Sequence, residues 1–81
     1  MFKVGVVSKY YDKLSIAIVE LDGAVAIGDK IKFVFEGKDL FEQIIETIQI
    51  GHQKTTSANR GEIVGLKVKD VVLEGAYIFK L

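Results

Sequence analysis

From Lys30 to Phe35 the chain reads Lys-Ile-Lys-Phe-Val-Phe, which puts Ile31, Phe33 and Phe35 on one side of an extended backbone and Lys30, Lys32 and Val34 on the other. Alternation with period two marks a strand that buries one face and wets the other, and it recurs along the chain between glycine-marked turns. Phe2, Val4 and Val6 alternate with Lys3, Gly5 and Val7, giving a first strand that runs into the polar loop Ser8–Lys13. Leu14–Leu21 is rich in β-branched residues and closes at Asp22-Gly23, a turn pair in which glycine tolerates positive φ. The third strand is Ile31–Phe35, after Gly28-Asp29 has turned the chain, and Glu36-Gly37-Lys38-Asp39 joins it as a hairpin to Leu40–Ile50. Strands at Ile63–Lys69, behind Gly61, and at Ala76–Leu81, behind Gly75, bring the expected number to six, with Gly51–Arg60 a polar loop.

Two stretches leave alternatives open. In Leu40–Ile50 the residues Leu40, Phe41, Ile44, Ile45 and Ile48 also fit helical spacing, but five of the seven residues from Ile44 to Ile50 are β-branched, which favours a strand. A bulge near Ile44–Thr47 reconciles the adjacent Ile44 and Ile45 with the alternation that follows. The second strand is apolar on both faces, Leu14, Ile16 and Ile18 on one and Ala17, Val19 and Leu21 on the other. One set faces the interior. The other is either covered by a neighbouring segment or exposed as an apolar strip for a partner or a second copy of the chain.

The chain has 81 residues, enough for one core, so residues 1–81 are expected to form a single domain. Apolar residues make up 49% and charged residues 27%, a composition that buries a core. There is no proline, so every strand residue can donate to a ladder. Closure into a barrel then removes the edges that invite aggregation. The expected fold is all-β, a single six-stranded closed Greek-key barrel. Eleven basic residues balance eleven acidic ones, so no long-range field draws the chain to phosphate backbones or anionic membranes. The absence of cysteine excludes disulfides, thiolate metal sites and a thiol nucleophile and fits a cytoplasmic location. No run approaches the roughly 18 apolar residues of a membrane span.

Three stretches resemble the second, β-barrel domain of elongation factor Tu-type translational GTPases. They are Gly23-Ala24-Val25-Ala26-Ile27-Gly28-Asp29-Lys30-Ile31; Gln49-Ile50 with Ala58, Gly61-Glu62 and Val64-Gly65-Leu66-Lys67-Val68; and Leu73-Glu74-Gly75-Ala76-Tyr77-Ile78. Tyr10-Tyr11-Asp12-Lys13, Phe41 and Gln43 are similar to positions in the small free-standing translation elongation factor-like proteins. Thr55 and Ala76 depart from that pattern, standing where an apolar residue and an acid are usual. The resemblance implies a binding barrel without GTPase activity, docking on RNA or a ribosome-associated protein. The alternative is an accessory, protein-interaction barrel similar to the carboxyl-terminal domain of collagenase-like peptidases, monomeric or a weak homodimer.

No candidate for catalysis emerges. His52 is the only histidine, and a metal site needs three or four convergent ligands. Ser57 lacks an orienting acid and the glycines of a nucleophile elbow, and Lys54-Thr55-Thr56 lacks the leading glycines of a phosphate loop. The expectation is a non-enzyme with no cofactor and no metal. The candidate partner surface is Lys9, Tyr10, Tyr11 and Lys13, joined by His52, Lys54 and Arg60, in which aromatic faces stack on bases and cations meet phosphates. A competing reading has Tyr10 and Tyr11 plugging the barrel mouth. The apolar strip Leu14, Ile16 and Ile18 is a second candidate docking surface.

Overall fold

The structure is a computed structural model describing residues 1–81, and it consists of strands and turns without a helix. In chain order the strands are β1 (Phe2–Tyr11), β2 (Ile16–Leu21), β3 (Val25–Ala26), β4 (Lys30–Phe35), β5 (Lys38–Ile44), β6 (Ile48–Ile50), β7 (Gln53–Thr55), β8 (Ser57–Ala58), β9 (Ile63–Lys67) and β10 (Tyr77–Lys80). Eight of them form one antiparallel sheet in the order β5-β4-β10-β1-β2-β9-β6-β7, and β3 pairs with β8 separately. No helix is long and apolar enough to cross a membrane.

The all-β expectation holds, but the closed six-stranded barrel does not, because β5 and β7 remain as edges. The physical reason lies at Ile45. Its N–H donates to the Asp29 carbonyl and its own carbonyl accepts from Gly28 N–H, both at 2.8 Å, so its backbone is committed to the turn before β4. Leu40–Ile50 is therefore neither a helix nor one bulged strand. It is β5 and β6, with Ile45–Thr47 carrying the chain from one edge of the sheet toward the other. Across the remaining gap a side chain substitutes for a strand. The Gln43 amide donates through Nε2 to the Lys67 carbonyl (2.8 Å) and accepts through Oε1 from Lys69 N–H (2.9 Å). The expected loop Gly51–Arg60 contains β7 and β8.

β1 is longer and less regular than alternation suggests. Its register slips between Lys3 and Gly5 against β10 and between Val7 and Lys9 against β2. Such slips bend a strand and re-aim its side chains, so Val4 and Val7, from opposite sets of the alternation, both reach the core while Phe2 is 71% exposed. Gly5 permits the close approach: a Cβ there would lie 2.7 Å from Val19 Cγ1 and 2.9 Å from the Glu20 carbonyl oxygen. Gly23 likewise serves packing, its missing Cβ 3.2 Å from Val4 Cγ1, rather than a left-handed turn. At Gly28-Asp29 the expected turn chemistry is present. Gly28 has φ +96°, and Asp29 Oδ2 accepts from Ala26 N–H at 2.8 Å and meets Lys80 Nζ at 3.1 Å.

The interior is wholly apolar, with no buried polar side chain. Ile31, Phe33, Ile48, Leu66 and Ile78 converge from four strands, and the Phe33 ring lies 4.8 Å from that of Phe41. Two hairpins close through pairs of left-handed residues, Glu36-Gly37 (φ +50°, +80°) between β4 and β5 and Gly51-His52 (φ +56°, +67°) between β6 and β7. Their hand matches the twist of the flanking strands. In the second hairpin the left-handed residue leading into β7 is a histidine, where glycine would be unstrained.

Two outcomes follow from this packing. Phe33→Ala is expected to lower the unfolding free energy in urea by about 3–5 kcal/mol; a loss under about 1 kcal/mol would mean that the enclosed core is not centred on this ring. His52→Gly is expected to raise stability by up to about 1 kcal/mol by relieving the left-handed backbone, and a decrease in the same measurement would show that His52 makes compensating contacts.

Candidate docking groove

β2 decides which side chains meet water. It lies between β1 and β9, and its period of two sends Ala17, Val19 and Leu21 into the core while Ile16 and Ile18 face outward, half-buried. The cross-strand register extends that outward face. Tyr11 and Lys67 stand opposite Ile16, Lys9 and Gly65 stand opposite Ile18, and Gln49 and Lys54 continue the second row across β6 and β7. Ile63, opposite Glu20, is 58% exposed.

A groove of about 320 Å³ crosses this face from the β1–β2 turn to the β6–β7 turn. Tyr11, Leu14 and Ile16 form one end, Ile18, Gly65 and Gln49 the middle, and His52 and Ile63 the other end. Gly65 makes the depression, since a Cβ there would touch Ile16 Cγ2 at 3.4 Å and Ile18 Cδ1 at 3.8 Å. The β1–β2 turn is pinned from below: Lys67 Nζ donates to the Leu14 carbonyl at 3.0 Å and Val68 N–H to the Ser15 carbonyl at 2.8 Å.

The residues singled out in the sequence are thus distributed unevenly. Lys9 and Tyr11 are on β1 facing outward, Lys13 and Leu14 are in the β1–β2 turn, and Ile16 and Ile18 are on β2. His52 is in the β6–β7 turn and Lys54 on β7. Tyr11, His52 and the apolar strip share one groove. Tyr10 does not join them, because it stands opposite the buried Ala17 and packs against the core. Arg60 does not either. It precedes Gly61, whose N–H donates to the Leu21 carbonyl, at the far end of β2, about 16 Å along the strand from Ile16 at roughly 3.3 Å per residue. Gly65, Ile63 and Gln49 were not singled out as site residues. The available signal was the lone glycine inside the Ile63–Leu66 run, which marks a close approach or a missing side chain on an otherwise packed strand.

Other features of the surface are engaged structurally. A wider cleft of about 690 Å³ lies beside the β5 edge, but Gln43 is spent on its two bridging bonds and Lys30 pairs with Glu42 at 3.5 Å. At the amino end of β1 the Lys3 ammonium is held above its ordinary value of 10.5, chiefly by its 2.8 Å hydrogen bond to Asp22, and it also lies 4.7 Å from the Tyr77 ring centroid. No three His, Asp or Glu side chains converge on one point.

No protein-family model matches the chain. An uncharacterized protease of Methanocaldococcus jannaschii is 33% identical over 79 residues, covering 98% of this chain and 19% of the relative. The chain therefore spans about a fifth of that relative's length. Among solved structures, the carboxyl-terminal domain of a Geobacillus thermoleovorans protein described as a U32 peptidase superimposes with a TM-score of 0.90 at 26% identity, covering 99% of this chain and 92% of that one. The selenomethionine variant of the same domain gives a TM-score of 0.89 at 25% identity, covering 96% and 98%. These findings overturn the expected kinship with the elongation factor Tu barrel, and the docking on RNA or on the ribosome inferred from that kinship falls with it. The similarity is instead to a stretch of that protease and to the carboxyl-terminal domain of a U32 peptidase, in line with the alternative read from the sequence.

Proposed function

We propose that the chain is a non-catalytic accessory domain, of the type found at the carboxyl end of U32 peptidases, and that it works by docking polypeptide in the groove over Gly65. The observation that carries this reading is the superposition of nearly the whole chain on a carboxyl-terminal domain that forms a structure by itself. The groove's chemistry supports a binding role. Its polar side chains are those of Tyr11, Gln49 and His52, and no carboxylate or serine lines it. A general base acting alone, with neither a nucleophile nor an orienting partner, does not make a hydrolytic site. An exposed apolar depression rimmed by polar groups is, in contrast, what a docking site requires.

The fold supports the same reading from the opposite side. Because the core is completed by residues of this chain alone, Ile16, Ile18 and Ile63 are not needed inside, and their outward placement leaves apolar surface for a neighbour.

A graft tests the proposal. When this chain replaces the matched segment of the Methanocaldococcus jannaschii protease, the chimaera is expected to unfold in one calorimetric transition, and Ile18→Glu with Ile63→Glu is expected to split that transition in two. Independent unfolding of the unsubstituted graft, or hydrolysis of a fluorogenic peptide by the isolated chain, overturns it.

A further inference from the structure

The groove carries information about its occupant in the charges around it. Four of the ten lysines are ion-paired: Lys3 with Asp22 (2.8 Å), Lys30 with Glu42 (3.5 Å), Lys32 with Asp39 (3.2 Å) and Lys80 with Asp29 (3.1 Å). All four pairs lie away from the groove. Lys9, Lys13, Lys54 and Lys67 surround it, and no carboxylate lies within ion-pair distance of any of them. Asp12 is in the β1–β2 turn, and Glu20 stands opposite Ile63 at one end. A chain with zero formal charge thus has a cationic rim around an aliphatic depression.

We infer that the groove binds an extended acidic segment of polypeptide that crosses the strands, with an apolar side chain seated over Gly65 and carboxylates reaching Lys9 on one side and Lys54 on the other. The geometry follows from one row of the sheet. Lys9, Ile18, Gly65, Gln49 and Lys54 are successive cross-strand neighbours on β1, β2, β9, β6 and β7. Strands lie about 4.8 Å apart, so Lys9 and Lys54 are separated by roughly 19 Å, which an extended segment of about six residues spans. The apolar position falls at the middle of that segment. At about 320 Å³ the depression stands at the lower edge of the roughly 300–1,000 Å³ usual for ligand pockets, suited to one or two side chains rather than a helix face.

The floor discriminates between polypeptide and other anionic partners. Ile16, Ile18 and Ile63 are aliphatic, and only Tyr11 and His52 at opposite ends offer ring faces, so no continuous platform for stacked bases exists. Complementary charge at the rim selects the partner and steers its approach, while the apolar contact resists dissociation.

This inference rests on the docking role proposed above and deepens it. The test titrates three synthetic peptides into the isotopically labelled full chain and follows its amide shifts. The first is Glu-Glu-Ser-Leu-Ser-Glu-Glu, the second has lysine for every glutamate, and the third has serine for leucine. The first is expected to shift Lys9, Ile18, Gly65, Gln49 and Lys54 and to bind about tenfold or more tightly than either of the others. Lys9→Glu with Lys54→Glu, both at exposed positions, is expected to exchange the preference between the first two peptides while leaving the dispersion of the spectrum intact. Equal affinities, shifts confined to other residues, or a sedimentation profile in which a second copy already occupies the face overturn the inference. If the peptides discriminate wrongly while the grafted protease still unfolds as one unit, the acidic occupant is lost and the docking role stands; if no peptide shifts the groove residues and the graft unfolds independently, both are lost.

Discussion

The hydrogen-bond register of β2 against β1 and β9 determines which apolar residues of this chain are enclosed and which reach solvent. β2 carries apolar side chains on both faces, so displacing it by one residue would exchange Ala17 and Val19 for Ile16 and Ile18 in the core. The two alternatives are not equivalent in volume. Alanine faces inward opposite Tyr10, which packs against the core, whereas isoleucines at both positions would overfill a core in which Phe33, Ile48 and Leu66 are already fully enclosed. The small residue thus favours this register, and the register leaves two isoleucines half-buried on the outer face.

The glycines of the sheet act on the same constraint. Gly5 lets β1 approach Val19 and the Glu20 carbonyl closely enough to hold β2 in place, and the slip beside it brings Val4 and Val7 to one side. Gly65, on the opposite flank of β2, leaves its outward position empty, which turns a row of half-buried side chains into a depression. Neither glycine has a left-handed backbone. Each is present for what its missing Cβ permits, one for close packing and the other for an open surface.

Much of this was legible in the sequence where alternation is strict and local. The β4–β5 hairpin, with Glu36-Gly37 at its turn, and the β10 strand behind Gly75 follow directly from pattern and turn chemistry. The residues missed share a physical cause, which is that their conformation depends on distant partners. Ile45 is torn from a strand by Gly28 and Asp29, seventeen and sixteen positions earlier in the chain, and the polar segment around β7 and β8 becomes ordered only by pairing with β6 and β3. For the site, Tyr11, His52 and the strip Leu14, Ile16 and Ile18 were identifiable by residue type, yet their meeting in one groove depends on a six-residue strand lying between two others. Tyr10 and Tyr11 are chemically alike and adjacent in the chain. Only the register slip between Val7 and Lys9 determines that the first packs against the core and the second against solvent.

Charge placement completes the relation between fold and surface. Exposed ion pairs contribute little stability, typically about 0–1 kcal/mol, so the four in this chain are not what holds it together. Their effect is on the field. Each joins a lysine of β1, β4 or β10 to a nearby acid and cancels both at short range, where the screening length of about 8 Å at physiological salt leaves little to be felt elsewhere. The lysines of the opposite flank have no such partners. Lys9 and Lys54 are held at the two ends of one row by strand pairing, and Lys67 is oriented by its bond to the Leu14 carbonyl, so their charges add around the depression instead of cancelling. A neutral composition is therefore compatible with a directional surface, because the sheet sorts paired from unpaired charge through the same register that sorts buried from exposed isoleucine.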